Sequence, residues 1–402
     1  MIHTIRLVWR DPILLMLAAA FVLFGCFVAS VGIYQSLLAV TVFGIGDAEF
    51  SLILAGAMVI NVGASIGIGI LTDQKARRRT VAIGSALAFA AGSGLVTLVP
   101  TPLSFVVTHV LLIPAGGTLF GQFFALSRLA AGSYDKAHRD GILAVVRAAF
   151  AVPFVIVLPL WGLAFDSGVQ LVTIYPVVAG FAVLLAYVLW RYWPADGTAP
   201  WSGHRSGLSI RGALAEMAAL PVLARVALVG TIHVGSAVAG VIIGLLFDEA
   251  SGRGAGDVGL FFGLFVAVEV VVTLMIGTIA FYWSRMTIIT AGVVLYAIFL
   301  IGLPGLAPTP WLWLLLLPAG IGGALIYTLA ISYVQDLLGA RAGAGAALLA
   351  LQRIATDGIG ATVFAIGTWF WGYALVAYLA ATVTLIAITA IWVLDTRAPI
   401  RR

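Results

Sequence analysis

Leu112-Ile113-Pro114-Ala115-Gly116 and, 204 residues later, Leu316-Leu317-Pro318-Ala319-Gly320 are one apolar segment written twice. Other pairs fall at nearly the same spacing: Arg147 with Arg353 at 206, and Gly69 with Gly277 and Asn61 with Glu269 at 208. A lone Pro-Ala-Gly match arises by chance in a chain this rich in alanine. Four pairs in the same order, with offsets that barely differ, indicate an internal duplication of about half the chain.

Composition says what is duplicated. The 402 residues are 62% hydrophobic and 9% charged, with a mean hydropathy of +1.15, far from the soluble norm of roughly a quarter charged. A bilayer crossing needs about 20 mostly apolar residues, and runs of that kind are expected at 13–41, 50–71, 79–99, 103–129, 141–165, 170–192, 221–247, 257–281, 286–305, 310–338, 342–369 and 372–394. The fold expected is therefore an all-α membrane protein of about twelve transmembrane helices in two pseudo-symmetric six-helix bundles. Residues 1–193 form the first bundle, 194–220 a polar cytoplasmic linker with a short surface helix, and 221–402 the second bundle. The first run is too long for a cleaved signal and is read as a retained helix. Cys26 is the single cysteine, which leaves no internal disulfide.

The net charge of +5 is a topology signal. Apart from Arg147, Arg253 and Arg353, every Lys and Arg falls at a helix end or loop on one side of this scheme. The positive-inside rule then puts both termini and the linker in the cytoplasm, and nothing in the pattern calls for a nucleic-acid partner. Trp161, Trp190, Trp193, Trp311, Trp313 and Trp371 lie near helix ends, where an interfacial belt is expected.

Between the second and third helices the chain reads Gly69-Ile70-Leu71-Thr72-Asp73-Gln74-Lys75-Ala76-Arg77-Arg78-Arg79. This resembles the Gly-x-x-x-Asp-x-x-Gly-Arg-Arg loop of the major facilitator superfamily, with Ala76 in place of the second glycine. The resemblance implies a cytoplasmic gate: Gly69 for close helix approach, Asp73 as acceptor for a facing helix, Arg77 and Arg78 at the headgroups. The second-half counterpart keeps Gly277 and Arg285 but has Phe281 at the aspartate position, so the gate is expected to be asymmetric.

Charges inside apolar helices cost about 2.5–3.5 kcal/mol each and are kept where they meet a partner or line a water-filled path. Glu269 lies about 18 Å from the outer end of its helix, near the midplane. Low-dielectric surroundings favour the neutral form of a carboxyl, which makes it a candidate proton carrier. Arg353 and Asp357 are four apart on one helix face and can pair; a structural reading of that pair, neutralisation for insertion, stands beside a switching one. Arg147 sits where its long side chain can snorkel or contact a solute. Asn61, Gln35, Gln352, His233 and Tyr34 are candidate substrate contacts, with His109 and Gln122 as further cavity candidates; His233 is equally readable as a packing residue.

No metal cluster, nucleophilic triad or Walker lysine motif is present in the sequence, and Gly252-Arg253-Gly254 follows no strand, so neither an enzyme, a cofactor nor a bound metal is expected. Tyr333-Val334-Gln335-Asp336-Leu337-Leu338, the glycine and alanines from Gly343, the Gly263-Leu264 approach to Glu269, and Arg147 upstream of a proline are similar to bacterial sugar efflux transporters of the superfamily. Val157-Leu158-Pro159 departs from that family's Gly-Pro-Pro. The resemblance implies proton-coupled efflux of sugars or related small solutes across the bacterial inner membrane, and a monomeric carrier is expected, with Glu269, Asp357 and Arg353 in proton coupling. Proton-driven export of amphipathic drugs is the alternative.

Overall fold

The computed structural model describes residues 2–75, 78–132, 134–195, 220–338 and 345–397. All regular elements among them are helical. They are α1 (Ile2–Arg10), α2 (Pro12–Leu37), α3 (Asp47–Lys75), α4 (Arg78–Leu98), α5 (Pro102–Val107), α6 (Ile113–Gly117), α7 (Leu119–Ala131), α8 (Lys136–Asp166) and α9 (Ile174–Tyr192). From residue 220 come α10 (Leu220–Ile232), α11 (Val234–Glu249), α12 (Ala255–Tyr282), α13 (Arg285–Leu306), α14 (Leu316–Leu338), α15 (Gly345–Phe370) and α16 (Tyr373–Arg397); the expected linker, 194–220, lies almost wholly outside the described residues. Among the described residues 11 helical stretches are long and apolar enough to cross a membrane. Where the remaining crossing is expected stands α15, a helix of 26 residues that carries Arg353 and Asp357.

Two expected crossings are jointed. Pro102–Ala131 runs as α5, a π-turn over Thr108–Leu112, α6 and, after a turn at Thr118, α7. Val222–Glu249 is interrupted at His233. Such π-turns and breaks leave main-chain groups without their usual helical partner and are frequent at functional sites.

The helices cluster into two compact units, Met1–Gly44 with Val59–Ser206, and Ile45–Met58 with Gly207–Arg402. Water drives little of the packing within a bilayer, so close van der Waals fit and interhelical hydrogen bonds hold each unit. In unit 1, α2 packs on α8 and α9, and α4 on α9. A Cβ on Gly25 would lie 2.6 Å from the Phe150 carbonyl oxygen, so the α2 and α8 backbones touch. Phe21, Phe24 and Phe27 meet Phe89, Phe120, Phe123, Phe124 and Phe150 in mostly edge-on or tilted pairs; such geometry contributes about 0.5–1.5 kcal/mol per pair beyond area. The Trp161 indole N–H donates to Ser30 Oγ at 2.8 Å, and Trp161 and Trp193 are buried. The belt assignment fails for these two because each helix end there turns its indole into the core; Trp190, Trp311 and Trp371 are exposed.

The amphipathic α1, not anticipated from the sequence, buries Val8 and exposes Trp9, Arg6 and Arg10. It ends at Asp11, whose Oδ1 accepts from the Ile13 and Leu14 amides at 2.8 and 3.1 Å, with Pro12 opening α2. This cap satisfies amides that have no intrahelical acceptor. Asp11 Oδ2 accepts from the Tyr134 hydroxyl at 2.8 Å; burial, and then this contact, push the Tyr134 phenol above its ordinary range. Asp135 caps α8 in the same way, and the His138 amide and ring hold its carboxyl below the usual range. Asp11→Ala should cost about 1–2 kcal/mol, whereas Asp11→Asn should keep most of the cap. Thermal melts of the two variants in detergent check this ordering.

In unit 2, α13 packs on α14 and α16, α12 on α14, and α10 on α15. A Cβ on Gly230 would collide with the Gln352 carbonyl and lie 2.8 Å from Ala355 Cβ; the Thr356 hydroxyl donates to the Gly230 carbonyl at 2.8 Å across this contact. The N-terminal part of α3, as far as Met58, belongs here. Asp47 accepts from the Tyr373 hydroxyl at 2.9 Å, and Phe50 meets Phe364 edge-on. Arg253 binds the Ala307 and Thr309 carbonyls and Asp257, and its guanidinium faces the Trp313 ring.

Arg225, near the start of α10, is 1% exposed and pairs with Asp395 at 2.8 Å, with a further bond to the Leu394 carbonyl. The Tyr333 hydroxyl reaches both Asp395 carboxylate oxygens at 3.0 Å. α10, α14 and α16 are thus tied by one buried ion pair. A topology rule counts charges without regard to partners, and so could not distinguish this arginine from its neighbours.

Candidate functional site

The polar groups of unit 2 converge around Tyr327 on α14. Its hydroxyl donates to Ser236 Oγ at 3.0 Å, and its ring stands edge-on to His233 at 5.2 Å. Both partners flank the break between α10 and α11. At that break the His233 amide is shared between the Val229 and Gly230 carbonyls, while the His233 Nδ1 lies 2.8 Å from the Val229 oxygen. A carbonyl only accepts, so Nδ1 carries the proton in this contact. The ring therefore stitches the broken turn, and with 6% exposure His233 supports the site and does not meet solvent broadly.

Glu269 reaches the same cluster from α12. Its carboxyl carbon lies 3.7 Å from where a Gly323 Cβ would stand, so the carboxyl sits in van der Waals reach of α14 at that glycine. Tyr296 of α13 is within electrostatic range of Glu269 and Tyr327. Tyr327 in turn feels Glu269, Arg353 and Asp357. On α15, Arg353 Nε donates to Asp357 Oδ2 at 3.1 Å, with the side chains 55% and 29% exposed. Gln352 is half-buried with its Oε1 lacking a hydrogen-bond partner. The chain thus brings together Glu269, Arg353, Asp357 and His233 from the sequence-derived candidates. It adds Tyr327, Tyr296 and Ser236, which sequence reasoning missed.

Unit 1 holds a matching arrangement without a charge. Asn61 on α3 packs its amide nitrogen 3.1 Å from where a Gly117 Cβ would stand, as Glu269 does on Gly323, and Gly323 follows Gly117 by 206 residues. Both halves of the duplication use one device: a polar side chain of one helix seated on a glycine of another. Ser65 donates to Asn61 Oδ1 at 3.4 Å, and Ser85, Thr118 and Gln122 form a separate hydrogen-bonded group at the residue after Gly117.

Other candidates fall elsewhere. Tyr34 is fully buried, its ring 5.1 Å from Phe165, so it has no surface to offer a solute and is corrected to a packing residue. Gln35 beside it is half-buried. His109 is also interior, stacked on Phe105 with Nε2 3.0 Å from the Tyr175 hydroxyl. Of the gate residues, Gly69 and Asp73 fall on the last turns of α3 and Arg78 opens α4. The Gly69 and Asp73 surroundings, the Arg147 side chain and all of Arg77 lie outside the described residues.

No family model and no curated sequence matches the chain. Solved structures do. A crystal structure of the nucleoside transporter NupG is 15% identical, covering 95% of this chain and 98% of its own, with a TM-score of 0.72. An auto-inhibited POT family peptide transporter is 13% identical over 97% and 98%, with a TM-score of 0.74. A bacterial homologue of the human lysosomal transporter Spinster, inward-facing and unoccupied, is 12% identical over 96% of both chains, with a TM-score of 0.68. At such identities the likeness speaks for architecture alone. On that architecture, and on the repeated helical halves, this is an all-α membrane protein with the major facilitator fold.

Proposed function

We propose that the protein is a secondary active transporter that couples proton movement to efflux of a sugar or related small polar solute across the bacterial inner membrane. The observation that carries this reading is the Glu269, Tyr327, Arg353 and Asp357 cluster. Four ionisable or hydroxyl-bearing groups on three helices, with Tyr327 40% exposed and Arg353 more so, have no use as mere packing, and exposure of an ion pair to lipid tails would be costly. A water-lined path is the environment that suits them. Glu269 takes and releases the proton; Arg353 and Asp357 form the contact whose balance shifts with that charge. Asn61, Gln35 and Gln352 offer amides to solute hydroxyls, and Arg147 and His233 stay assigned to the solute path as contact and support. The Gly69-to-Arg78 segment, with Asp73 and Arg77, serves as the cytoplasmic gate. Nucleosides and peptides are what the named neighbours carry; the neutral hydroxyl and amide lining of unit 1 favours a polyhydroxylated solute here.

Counterflow of radiolabelled lactose or a glucoside in proteoliposomes, with and without an imposed pH gradient, tests the reading. Saturable exchange that responds to the gradient is expected. Absence of sugar exchange by protein active on a lipophilic dye would replace this reading with drug export.

A further inference from the structure

The nine-residue α1 presents three separate strips around its axis. Successive residues turn by about 100°, so Val8 faces the body of unit 1, where it is buried, and Ile5 and Trp9 stand one turn apart on the strip beside it. Arg6 and Arg10 stand one turn apart on the strip beyond that, both exposed. Trp9 is 69% exposed and Ile5 36%. An apolar strip and a cationic strip thus run side by side on the outward face of one short helix.

The cations are left without a counter-charge of their own. No acidic residue occurs in α1, and two arginines four apart repel along a helix surface. Asp11, next in sequence, is committed to the Ile13 and Leu14 amides and the Tyr134 hydroxyl. Asp135 is committed to the His138 amide and ring. The same loop adds a further exposed cation, Arg139, whose guanidinium donates to the Gly132 and Tyr134 carbonyls at 3.3 and 3.4 Å. Tyr134 therefore joins the end of α1 to Arg139, and α1 packs on α8 along the way. A helix this short does not persist in water by itself; packing on α2 and α8 accounts for the Val8 strip alone.

We propose that α1 and the start of α8 form a binding surface for anionic phospholipid headgroups, with Ile5 and Trp9 at the acyl boundary and Arg6, Arg10 and Arg139 on the phosphates. Both strips need a cover, and a lipid supplies an anion and a hydrocarbon in one molecule. A free phosphate would leave Ile5 and Trp9 bare. Helices with apolar and basic faces arranged in this way lie in the plane of the interface, and each arginine near an anionic leaflet adds roughly a five-fold preference for it. The surface rests on the protein being a membrane protein and is independent of the solute carried.

The test titrates the purified protein in detergent with short-chain phosphatidylglycerol and reads the thermal melt, beside short-chain phosphatidylcholine and glycerol phosphate. Phosphatidylglycerol should raise the melt at concentrations where the other two do not. Arg6→Gln with Arg10→Gln should move the midpoint up by about ten-fold or more, and Arg6→Lys with Arg10→Lys should stay within a few-fold of wild type. A glutamine variant that titrates like wild type overturns the proposal. So does stabilisation by glycerol phosphate equal to that by the lipid, which would make this a soluble-anion site. Should the glutamine variant fail to fold, position decides the matter: a bimane on Ile5→Cys, in a Cys26→Ala background in nanodiscs, should be quenched by brominated lipid, and an unquenched label overturns the assignment.

Discussion

Glu269→Gln should abolish gradient-driven flux while leaving solute exchange at equal pH largely intact. The glutamine keeps the shape that fits over Gly323 and can still hydrogen-bond, but it cannot gain or lose a charge. What it removes is the change in field that Tyr327 and, through it, the Arg353–Asp357 pair experience. A switch moves an equilibrium only as far as its two states differ in interaction energy. With a permanently neutral side chain there is no difference left to couple. The measurement is uptake into proteoliposomes under an imposed pH gradient, beside counterflow without one. The expected result is loss of the gradient response by an order of magnitude or more, with exchange within a few-fold of wild type. A variant that still follows the gradient would remove Glu269 from the carrier role and turn attention to Asp357. Loss of both activities together would assign Glu269 to solute binding.

The helices of this chain were legible because each is apolar nearly all round, and such segments have one stable arrangement in a bilayer. The same property hid their facing. A uniformly apolar helix has no polar stripe to say which side meets its neighbours, so nothing in α2 marked Tyr34 as an interior residue against Phe165 or Ser30 as the acceptor for Trp161. The charged pair on α15 was legible because its spacing is local. The site around Tyr327 was not, because it is assembled by Ser236, Glu269, Tyr296 and Tyr327 from four helices, and only tertiary packing brings them to one place. One signal could have found it. The duplication offset carries Gly117 to Gly323 and Asn61 to Glu269, and so marks the α14 face four residues before Tyr327. The break at His233 had no such mark, since no proline or glycine stands at the joint itself. His233 adds its own ring to the Val229 carbonyl beside the shared main-chain bond, a role that residue identity alone does not announce.

The buried ion pair predicts an unequal response to removing its two ends. Arg225 is 1% exposed and Asp395 30% exposed. Asp395→Ala therefore strands a guanidinium where water cannot reach it, and should destabilise by about 3–5 kcal/mol, the cost typical of breaking a buried pair from one side. Tyr333 also loses both of its acceptor contacts. Arg225→Ala leaves a carboxylate that can hydrate on its open side and still receives the Tyr333 hydroxyl, so its cost should be smaller, about 1–3 kcal/mol. Replacing both charges together, as Arg225→Met with Asp395→Leu, should recover most of the loss, because the pair's attraction was largely offset by the desolvation of its members. Thermal melts of the four proteins in one detergent read all of this, and adding Arg225→Ala combined with Asp395→Ala closes a double-mutant cycle that isolates the coupling. If Arg225→Ala proves the more damaging single change, the aliphatic packing of the arginine between α10 and α16 outweighs its charge. If the double variant is no better than Asp395→Ala, then α10, α14 and α16 depend on the pair for their fit and not only for neutrality.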